Sequence, residues 1–153
     1  MTKEIELTHL LPNGLVNLHG DGENTVIQYM YRDADNYKMS GRVIFDGRIT
    51  EAQVRRLAEA LDDGSFIPGQ VGIEDLQEKF NDGKGEWIDD RDHPWHEVTG
   101  ISYTHVLPEE DRHVGEFVDQ VAKTTWDPKY LPEAHAEMVE RHEKRAAREA
   151  LEE

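Results

Sequence analysis

Apolar and polar residues alternate on both sides of a polar turn in TVIQYMYRDADNYKMSGRVIFDG, residues 25–47. A period of two is typical of a strand with one buried face, so we predict an antiparallel hairpin here. A slip of one residue would expose the aromatic side chains, so the pattern also sets the register. The apolar residues of the predicted buried face are Ile27, Tyr29, Tyr31, Tyr37, Met39, Val43 and Phe45.

A helical period replaces this alternation in ITEAQVRRLAEALDDG, residues 49–64. Thr50 is a favourable N-cap, and Gln53 has the spacing of a capping box. Gly64 is expected to provide the C-terminal stop. We predict a helix of about three turns packed on the apolar face of the hairpin. Its buried stripe is formed by Val54, Leu57, Ala58 and Leu61.

Three weaker patterns follow. Residues 65–80 begin as a loop with Pro68 and two glycines, and are expected to end in a short helix that buries Ile73, Leu76 and Phe80. Residues 95–107 predict a third strand with Trp95, Ile101, Tyr103 and Leu107 on one face. Residues 111–126 predict a second amphipathic helix that buries Val114, Phe117, Val118 and Val121.

The last segment predicts a long helix that starts at Pro132. Glu137/Arg141 and Glu140/Lys144 are spaced for i,i+4 ion pairs, but few apolar residues follow Val139. Such a helix is expected to project from the body or to dock on a partner or a second copy. A homo-oligomer formed through it is one possibility.

These elements together predict an α+β fold, in which an antiparallel sheet of three or more strands carries helices on one face and a C-terminal helical tail. We expect residues 1–24 to form an N-terminal extension, as a short hairpin or an extended segment laid against the domain. Residues 25–124 are expected to form the core domain and residues 125–153 the tail.

Charge limits the classes of partner. The chain has 33 acidic and 17 basic residues, a formal net charge of −16. This charge disfavours direct binding to nucleic acid or to an anionic membrane, and favours a basic protein as the partner. Solubility or adaptation to a salty host is the alternative explanation. No apolar stretch of membrane-spanning length occurs, and the first residues do not resemble a signal peptide, so we expect a cytoplasmic protein.

The segment DDRDHPWHEV, residues 89–98, holds the most conspicuous candidate chemistry. His93 and His96 could bind a metal together with Asp92, or with Asp33 and Asp35 of the hairpin turn. Against a local site, Pro94 favours an extended His93, and residues three apart in an extended chain point to opposite faces. The other interpretation is a polar entrance to the third strand. No cysteine is present, which excludes disulfides and thiolate metal sites, and no cofactor is predicted.

The hairpin turn resembles the start of a calcium-binding loop, but the pattern fails. An EF-hand loop that began at Asp33 would need glycine at Lys38 and glutamate at Ile44. We therefore interpret Asp33, Asp35 and Asn36 as turn residues whose side chains bond to nearby backbone. The sequence contains no nucleophile-elbow, P-loop, dinucleotide-binding or H-E-x-x-H motif, so none of these catalytic motifs supports an enzymatic activity.

Three motifs, DADNYKM, FIPGQVG and DHPWHE, occur in this order between residues 33 and 97. In residues 26–120 the chain resembles small acidic proteins of unknown function from bacteria, plasmids and phages. The resemblance implies an accessory cytoplasmic protein, such as one of a mobile element, and brings no established activity with it. If the motifs form a shared binding surface, its candidates are Asp33, Asp35, Asn36, Tyr37, Gln70, His93, Trp95 and His96. The alternative is that Tyr37 and Trp95 are core residues and the others hold turns.

Three functions follow as hypotheses. The first is a non-enzymatic acidic interaction module that inhibits or regulates a basic, nucleic-acid-binding partner. The second is a small-ligand or metal-binding protein, conceivably a hydrolase, that uses His93 and His96 with Asp33 and Asp35. The third is a structural component of a virion, in which the tail helix makes the contacts.

Overall fold

A computed structural model of the chain describes residues 7–79, 87–88, 90–131 and 133–152. The strands are β1 (Leu15–Asn17), β2 (Asn24–Arg32), β3 (Lys38–Phe45), β4 (Ser65–Phe66) and β5 (His96–Thr104). The α-helices are α1 (Glu51–Ala60), α2 (Val114–Lys123) and α3 (Glu133–Glu152). Short 3-10 helices span Leu7–His9, Pro68–Val71 and Leu76–Lys79.

The five strands form one mixed sheet in the order β1-β5-β2-β3, and the short β4 pairs with β5 beside β1. Every strand pair is antiparallel except β1 with β5, which is parallel. The helices α1 and α2 pack together against one face of this sheet. The predicted α+β class is therefore confirmed, with a parallel edge pair that the sequence did not indicate.

The predicted hairpin is β2 and β3, paired from Thr25 opposite Phe45 to Arg32 opposite Lys38. Ile27, Tyr29 and Tyr31 are buried as the alternation predicts. Tyr37 is not, since 68% of its surface is exposed. It lies in the turn between the strands, beyond the part of the sheet that the helices cover, and so the prediction that it is a core residue is wrong.

The core lies between the sheet and the two helices. Phe45 of β3 stacks on Phe117 of α2 with ring centroids 4.5 Å apart, and Val54 and Leu57 of α1 are fully buried beside them. The predicted stripe of α2 is confirmed at all four positions, Val114, Phe117, Val118 and Val121.

The predicted capping box of α1 is present in full. The Thr50 hydroxyl accepts a hydrogen bond from the Gln53 amide at 3.1 Å, and the Gln53 side chain accepts one from the Thr50 amide at 2.9 Å. The helix ends at Ala60 with Leu61 as its C-cap, earlier than the predicted stop. Gly64, with φ +82°, instead serves the turn that joins Asp62 to Ser65.

The third predicted strand, β5, is shorter than its apolar pattern. It starts at His96 and ends at Thr104, so Trp95 is a half-buried residue before the strand. Leu107 was predicted on the buried face, but 80% of it is exposed. The chain has left the sheet by then, because Thr104 is the last residue of β5 that pairs with β2.

Part of the predicted N-terminal extension contributes a strand to the sheet. Residues 15–17 form the parallel edge strand β1 beside residues 100–102 rather than a hairpin. Leu11 and Val16 are buried in the core. Since the pairing is parallel and only three residues long, local alternation carried no signal for it.

The short helix predicted before residue 80 is a 3-10 turn that begins only at Leu76. Ile73 is buried ahead of it, and Phe80 lies outside the described residues. The tail helix α3 is present, and the predicted pair Glu140–Lys144 has its charged atoms 3.0 Å apart. The side chain of Glu137 and residue Pro132 lie outside the described set. Among the described helices, none is long and apolar enough to span a membrane.

Candidate functional site

The hairpin turn is built around the carboxylate of Asp33. Its Oδ1 accepts hydrogen bonds from the backbone amides of Asp35 and Tyr37, both at 2.9 Å. Asn36 adopts φ +66°, a left-handed conformation that asparagine tolerates better than most residues. The predicted side-chain bonds to nearby backbone are therefore confirmed for Asp33, whereas Asn36 Oδ1 instead accepts from Arg32 Nη1 at 2.8 Å.

The turn is joined to the DDRDHPWHEV segment by backbone and ionic contacts. The Ala34 amide donates to the Arg91 carbonyl at 3.0 Å, and Arg91 Nε lies 3.7 Å from Asp33 Oδ2. Two of the three motifs of the resemblance, far apart in sequence, thus meet at one end of the sheet.

His93 uses both ring nitrogens to hold the backbone. Nδ1 accepts from the Trp95 amide at 3.1 Å, and Nε2 lies 2.7 Å from the Arg32 carbonyl, to which it donates as the neutral tautomer. Neither nitrogen has a lone pair left for a metal. His93 therefore ties the entrance of β5 to the end of β2.

His96 is fully buried and is also committed at both nitrogens. Nε2 accepts from the Leu76 amide at 3.0 Å, and Nδ1 lies 3.1 Å from the Pro94 carbonyl, to which it donates as the neutral tautomer. Burial lowers the pKa of His96 to about 3, so the ring is neutral at physiological pH. This histidine anchors the Leu76 turn on the sheet.

The expectation that His93 and His96 point to opposite faces is wrong. Their ring centroids lie 5.3 and 5.2 Å from that of Tyr31, so both rings pack against the same aromatic side chain. The extended geometry does not apply to the whole segment, because residues 90 and 91 form a turn, Pro94 lies in a bend and the strand begins only at His96. Asp35 is exposed on the turn, away from any such arrangement of ligands.

Asp92 is the centre of the polar network at this end of the sheet. Its side chain is 0% exposed and accepts hydrogen bonds from the Tyr31 hydroxyl at 2.5 Å, the Ile88 amide at 2.9 Å and Arg91 Nη2 at 3.1 Å. Burial by itself raises the pKa of Asp92, but these three donors outweigh it and hold the pKa below its usual range.

A second buried carboxylate, Asp75, has a different environment. Its Oδ1 accepts from the Gln77 amide at 2.8 Å and lies 3.6 Å from His96 Nε2, while Oδ2 has no hydrogen-bond partner in the described part of the chain. Burial raises the pKa of Asp75 to about 6. Sequence reasoning named Asp92 only as a possible metal ligand and missed Asp75, because acid-rich loops usually carry solvated carboxylates.

Gln70, the candidate from the FIPGQVG motif, fastens the segment that leads to the tail. Its Nε2 donates to the Thr125 carbonyl at 3.1 Å, and its Oε1 accepts from the Asp127 amide at 2.9 Å. Trp126 between them donates from Nε1 to the Ala60 carbonyl at 2.9 Å and packs edge-on against Trp95 at 6.3 Å. We call residues 124–131 the strap.

Gly69 allows the strap to come close. A Cβ atom at this position would lie only 2.3 Å from the hydroxyl oxygen of Tyr130, so a side chain here would displace the Tyr130 ring. The third motif therefore acts through close packing of the Tyr130 ring on Gly69 and through an amide clamp. The predicted tail boundary at residue 125 falls inside the strap, which is partly docked on the rest of the domain.

Replacing Gln70 with alanine is expected to loosen the strap, because both hydrogen bonds of the clamp are lost. We expect the free energy of unfolding to fall by about 1–2 kcal/mol in urea titrations, and trypsin to cut faster after Lys129. The matched control is Gln28→Ala, an exposed glutamine of β2. Equal cleavage rates in the two variants would contradict the clamp.

A cleft of about 250 Å³ lies between the strap and the entrance of β5. Its walls include Asp92, His93, Pro94, Lys129 and Tyr130. The polar atoms of Asp92 and His93 are directed into the protein network described above. Within the described ranges, no group of three or more acidic or histidine side chains is placed to hold a metal ion.

Comparisons with known proteins give no relatives. No protein-family model matches the chain, and no curated protein or solved structure matches it either. The resemblance to small acidic bacterial and phage proteins thus stays a prediction, and the function has to be argued from the surface and the site.

Proposed function

We propose that this protein is a non-enzymatic interaction module that binds a basic partner protein through its acidic surface. The proposal rests on the imbalance of exposed charge in residues 7–131. Sixteen acidic side chains are exposed in the described part of this range, against six basic ones. Such a surface attracts cationic partners and repels phosphate.

The exposed acidic residues are Asp21, Glu23, Asp35, Asp46, Glu51, Glu59, Asp62, Asp63, Glu74, Glu78, Asp90, Glu109, Asp111, Glu116, Asp119 and Asp127. The exposed basic residues are Lys38, Arg42, Arg48, Arg56, Lys123 and Lys129.

The polar groups of the candidate site form hydrogen bonds within the protein, which supports a binding role over a catalytic one. Both ring nitrogens of His93 and of His96 are hydrogen-bonded to backbone groups, and the Asp92 carboxylate is buried. A reaction centre needs a polar group that can reach a substrate. The sharpest form of the proposal is an inhibitor or regulator that occupies the phosphate-binding groove of a nucleic-acid-binding protein.

The start of α2 is the surface that we assign to this contact. Glu109, Asp111 and Glu116 are exposed there, and Asp46 is close because its carbonyl accepts from the Val114 amide at 2.9 Å. We call these four residues the α2 acidic surface. A cationic groove would meet several carboxylates within one patch, and surface carboxylates of this kind act mainly by steering the encounter.

The test is affinity capture from host lysate with the full chain, after nuclease treatment and at low and high salt. We expect a basic protein that is retained after nuclease and released as salt rises. Its affinity is expected to fall roughly tenfold with Glu109→Gln/Asp111→Asn/Glu116→Gln, by loss of electrostatic attraction. The control, Glu59→Gln/Asp62→Asn/Asp63→Asn, removes the same charge elsewhere on the surface.

Capture that disappears with nuclease, or that brings down no basic protein, would contradict the proposal. Equal weakening by the two triple variants would retain the basic partner but assign the contact to the acidic surface as a whole. Loss of binding in the first variant alone would place it at the start of α2.

A further inference from the structure

The described residues leave one half of the outer edge of β3 open. The Tyr37 carbonyl faces β2, where it accepts from Asp33, whereas the Ile44 carbonyl faces outward and accepts from the Glu109 amide at 3.1 Å. Outward backbone groups therefore belong to the even-numbered residues. The outward amides and carbonyls of Lys38, Ser40 and Arg42 form no backbone hydrogen bond with other described residues. The side chains of all three residues are exposed.

This open edge, residues 38–42, has the opposite charge to most of the molecule. Lys38 and Arg42 are two of the six exposed basic residues in the described part of residues 7–131. Arg32 lies directly opposite Lys38 on the neighbouring strand β2. Arg32 is paired with Glu97 at 3.2 Å, and Arg42 lies 3.8 Å from Glu109. No acidic group of the described chain lies within 4 Å of Lys38.

A hollow of about 400 Å³ borders the same edge on the sheet face opposite the helices. It is lined by Gln28, Ser40, Gly41, Arg42 and Thr99. Gly100 sits beside it, where a Cβ atom would lie 2.6 Å from Gln28 Oε1. A strand added at the edge would place alternate side chains along this hollow.

We propose that the open edge of β3 binds an extended acidic segment of a partner, which adds a strand beside Lys38–Arg42. Its backbone would use the outward amides and carbonyls of Ser40 and Arg42, as in other cases of strand addition. Its carboxylates would lie next to Lys38 and Arg42, since opposite charges on neighbouring strands stabilise a sheet.

Charge argues against a second copy of the chain as the occupant. Antiparallel pairing of two β3 edges centred on Ser40 would place Lys38 of one copy opposite Arg42 of the other. Like charges in directly opposite positions destabilise such pairing. Basic residues on an exposed edge thus discourage self-pairing and leave the edge to a negatively charged strand.

The test uses a short, end-blocked peptide of alternating glutamate and threonine, and a second peptide with lysine in place of glutamate. We expect the full-length protein to bind the glutamate peptide, and amide exchange at Ser40 and Arg42 to slow when it is bound. Lys38→Glu/Arg42→Glu should weaken binding by roughly tenfold or more, through loss of the charge pairs. Lys123→Glu/Lys129→Glu, with the same change in net charge, should weaken it by less than about twofold, as screened distant charges do.

Three results would overturn the proposal. They are equal weakening in the two double variants, unchanged exchange at Ser40 and Arg42 with the glutamate peptide, and equal slowing of exchange there by the lysine peptide. Thermal unfolding of each variant checks that the fold is retained. Because the glutamate peptide is acidic and addresses β3, its failure to bind would leave the proposed basic partner of the α2 acidic surface untouched.

Discussion

Replacing Asp92 with alanine is expected to lower the free energy of unfolding by about 3–5 kcal/mol, the usual effect of removing one partner from a buried ion pair. The substitution would leave the Tyr31 hydroxyl and the Ile88 amide without their acceptor, and Arg91 without the nearer of its two described carboxylates. Each unsatisfied buried donor costs about 1–3 kcal/mol, and such losses overlap when the groups share one acceptor.

The measurement is urea unfolding at neutral pH, followed by tryptophan fluorescence. Asp90→Ala serves as the control, because Asp90 lies two residues away and is exposed. Tyr31→Phe should cost less, about 1–2 kcal/mol, since Asp92 retains its other two donors. A loss for Asp92→Ala no larger than that of the control would mean that the network does not hold this end of the sheet.

The elements that could be predicted from sequence are those that carry their own signal. The hairpin has a clear period of two with an asparagine-containing turn, and α1 has both a capping box and an apolar stripe. In each, the residues that decide the structure lie within a few positions of one another. The structure reproduces their registers and boundaries to within a few residues.

The elements that escaped prediction depend on distant partners. The strand β1 is three residues long and acquires its conformation from residues 100–102 of β5. The strap has no periodicity and is held by Gln70 and Trp126. Local sequence contains neither contact, so no pattern of apolar positions could have shown them.

The candidate site was predicted in its members but not in its arrangement. His93, His96 and Asp33 were singled out, and all three lie at the same end of the sheet. Asp92, suggested by the sequence only as a metal ligand, and Tyr31 join them, and the carboxylate of Asp92 accepts three hydrogen bonds from protein groups instead of binding a metal. The tyrosine could have been suspected, because a phenol on a buried face usually needs a hydrogen-bond partner.

The three motifs of the resemblance have a common structural role that differs from a binding surface. DADNYKM forms the hairpin turn, DHPWHE binds that turn and enters β5, and FIPGQVG holds the strap against Trp95. Their joint occurrence thus follows from packing at one end of the sheet. The α2 acidic surface lies on residues outside the motifs, whereas Lys38 of the open edge of β3 belongs to DADNYKM.

Replacing Asp75 with asparagine is expected to stabilise the protein at pH 7 by about 1–2 kcal/mol. The pKa of Asp75 is raised by burial from 3.8 to about 6, a shift that costs the folded state about 3 kcal/mol once the group is ionised. Asparagine carries no charge and keeps an oxygen for the Gln77 amide. The new side-chain NH2 group would lie where Oδ2 has no described partner. This unsatisfied donor reduces the expected stabilisation by about 1 kcal/mol.

The pH dependence separates this explanation from simple repacking. A group whose pKa is raised on folding stabilises at low pH, and this contribution is lost as the pH rises through about 6. The advantage of Asp75→Asn should therefore shrink below pH 6 and be small near pH 4. His96 acts in the opposite direction: its pKa is lowered to about 3, so its contribution is present above 6.5 and is lost as the pH falls.

In the natural sequence the two contributions offset each other between pH 6.5 and 4. In Asp75→Asn the loss due to His96 should stand alone, so the variant should lose stability more steeply on acidification. Urea unfolding at pH 7, 6, 5 and 4 tests this, with Asp90→Asn as a control of equal charge change. A variant that is less stable at pH 7, or whose advantage persists unchanged at pH 4, would show that burial of the Asp75 charge is not what limits stability here.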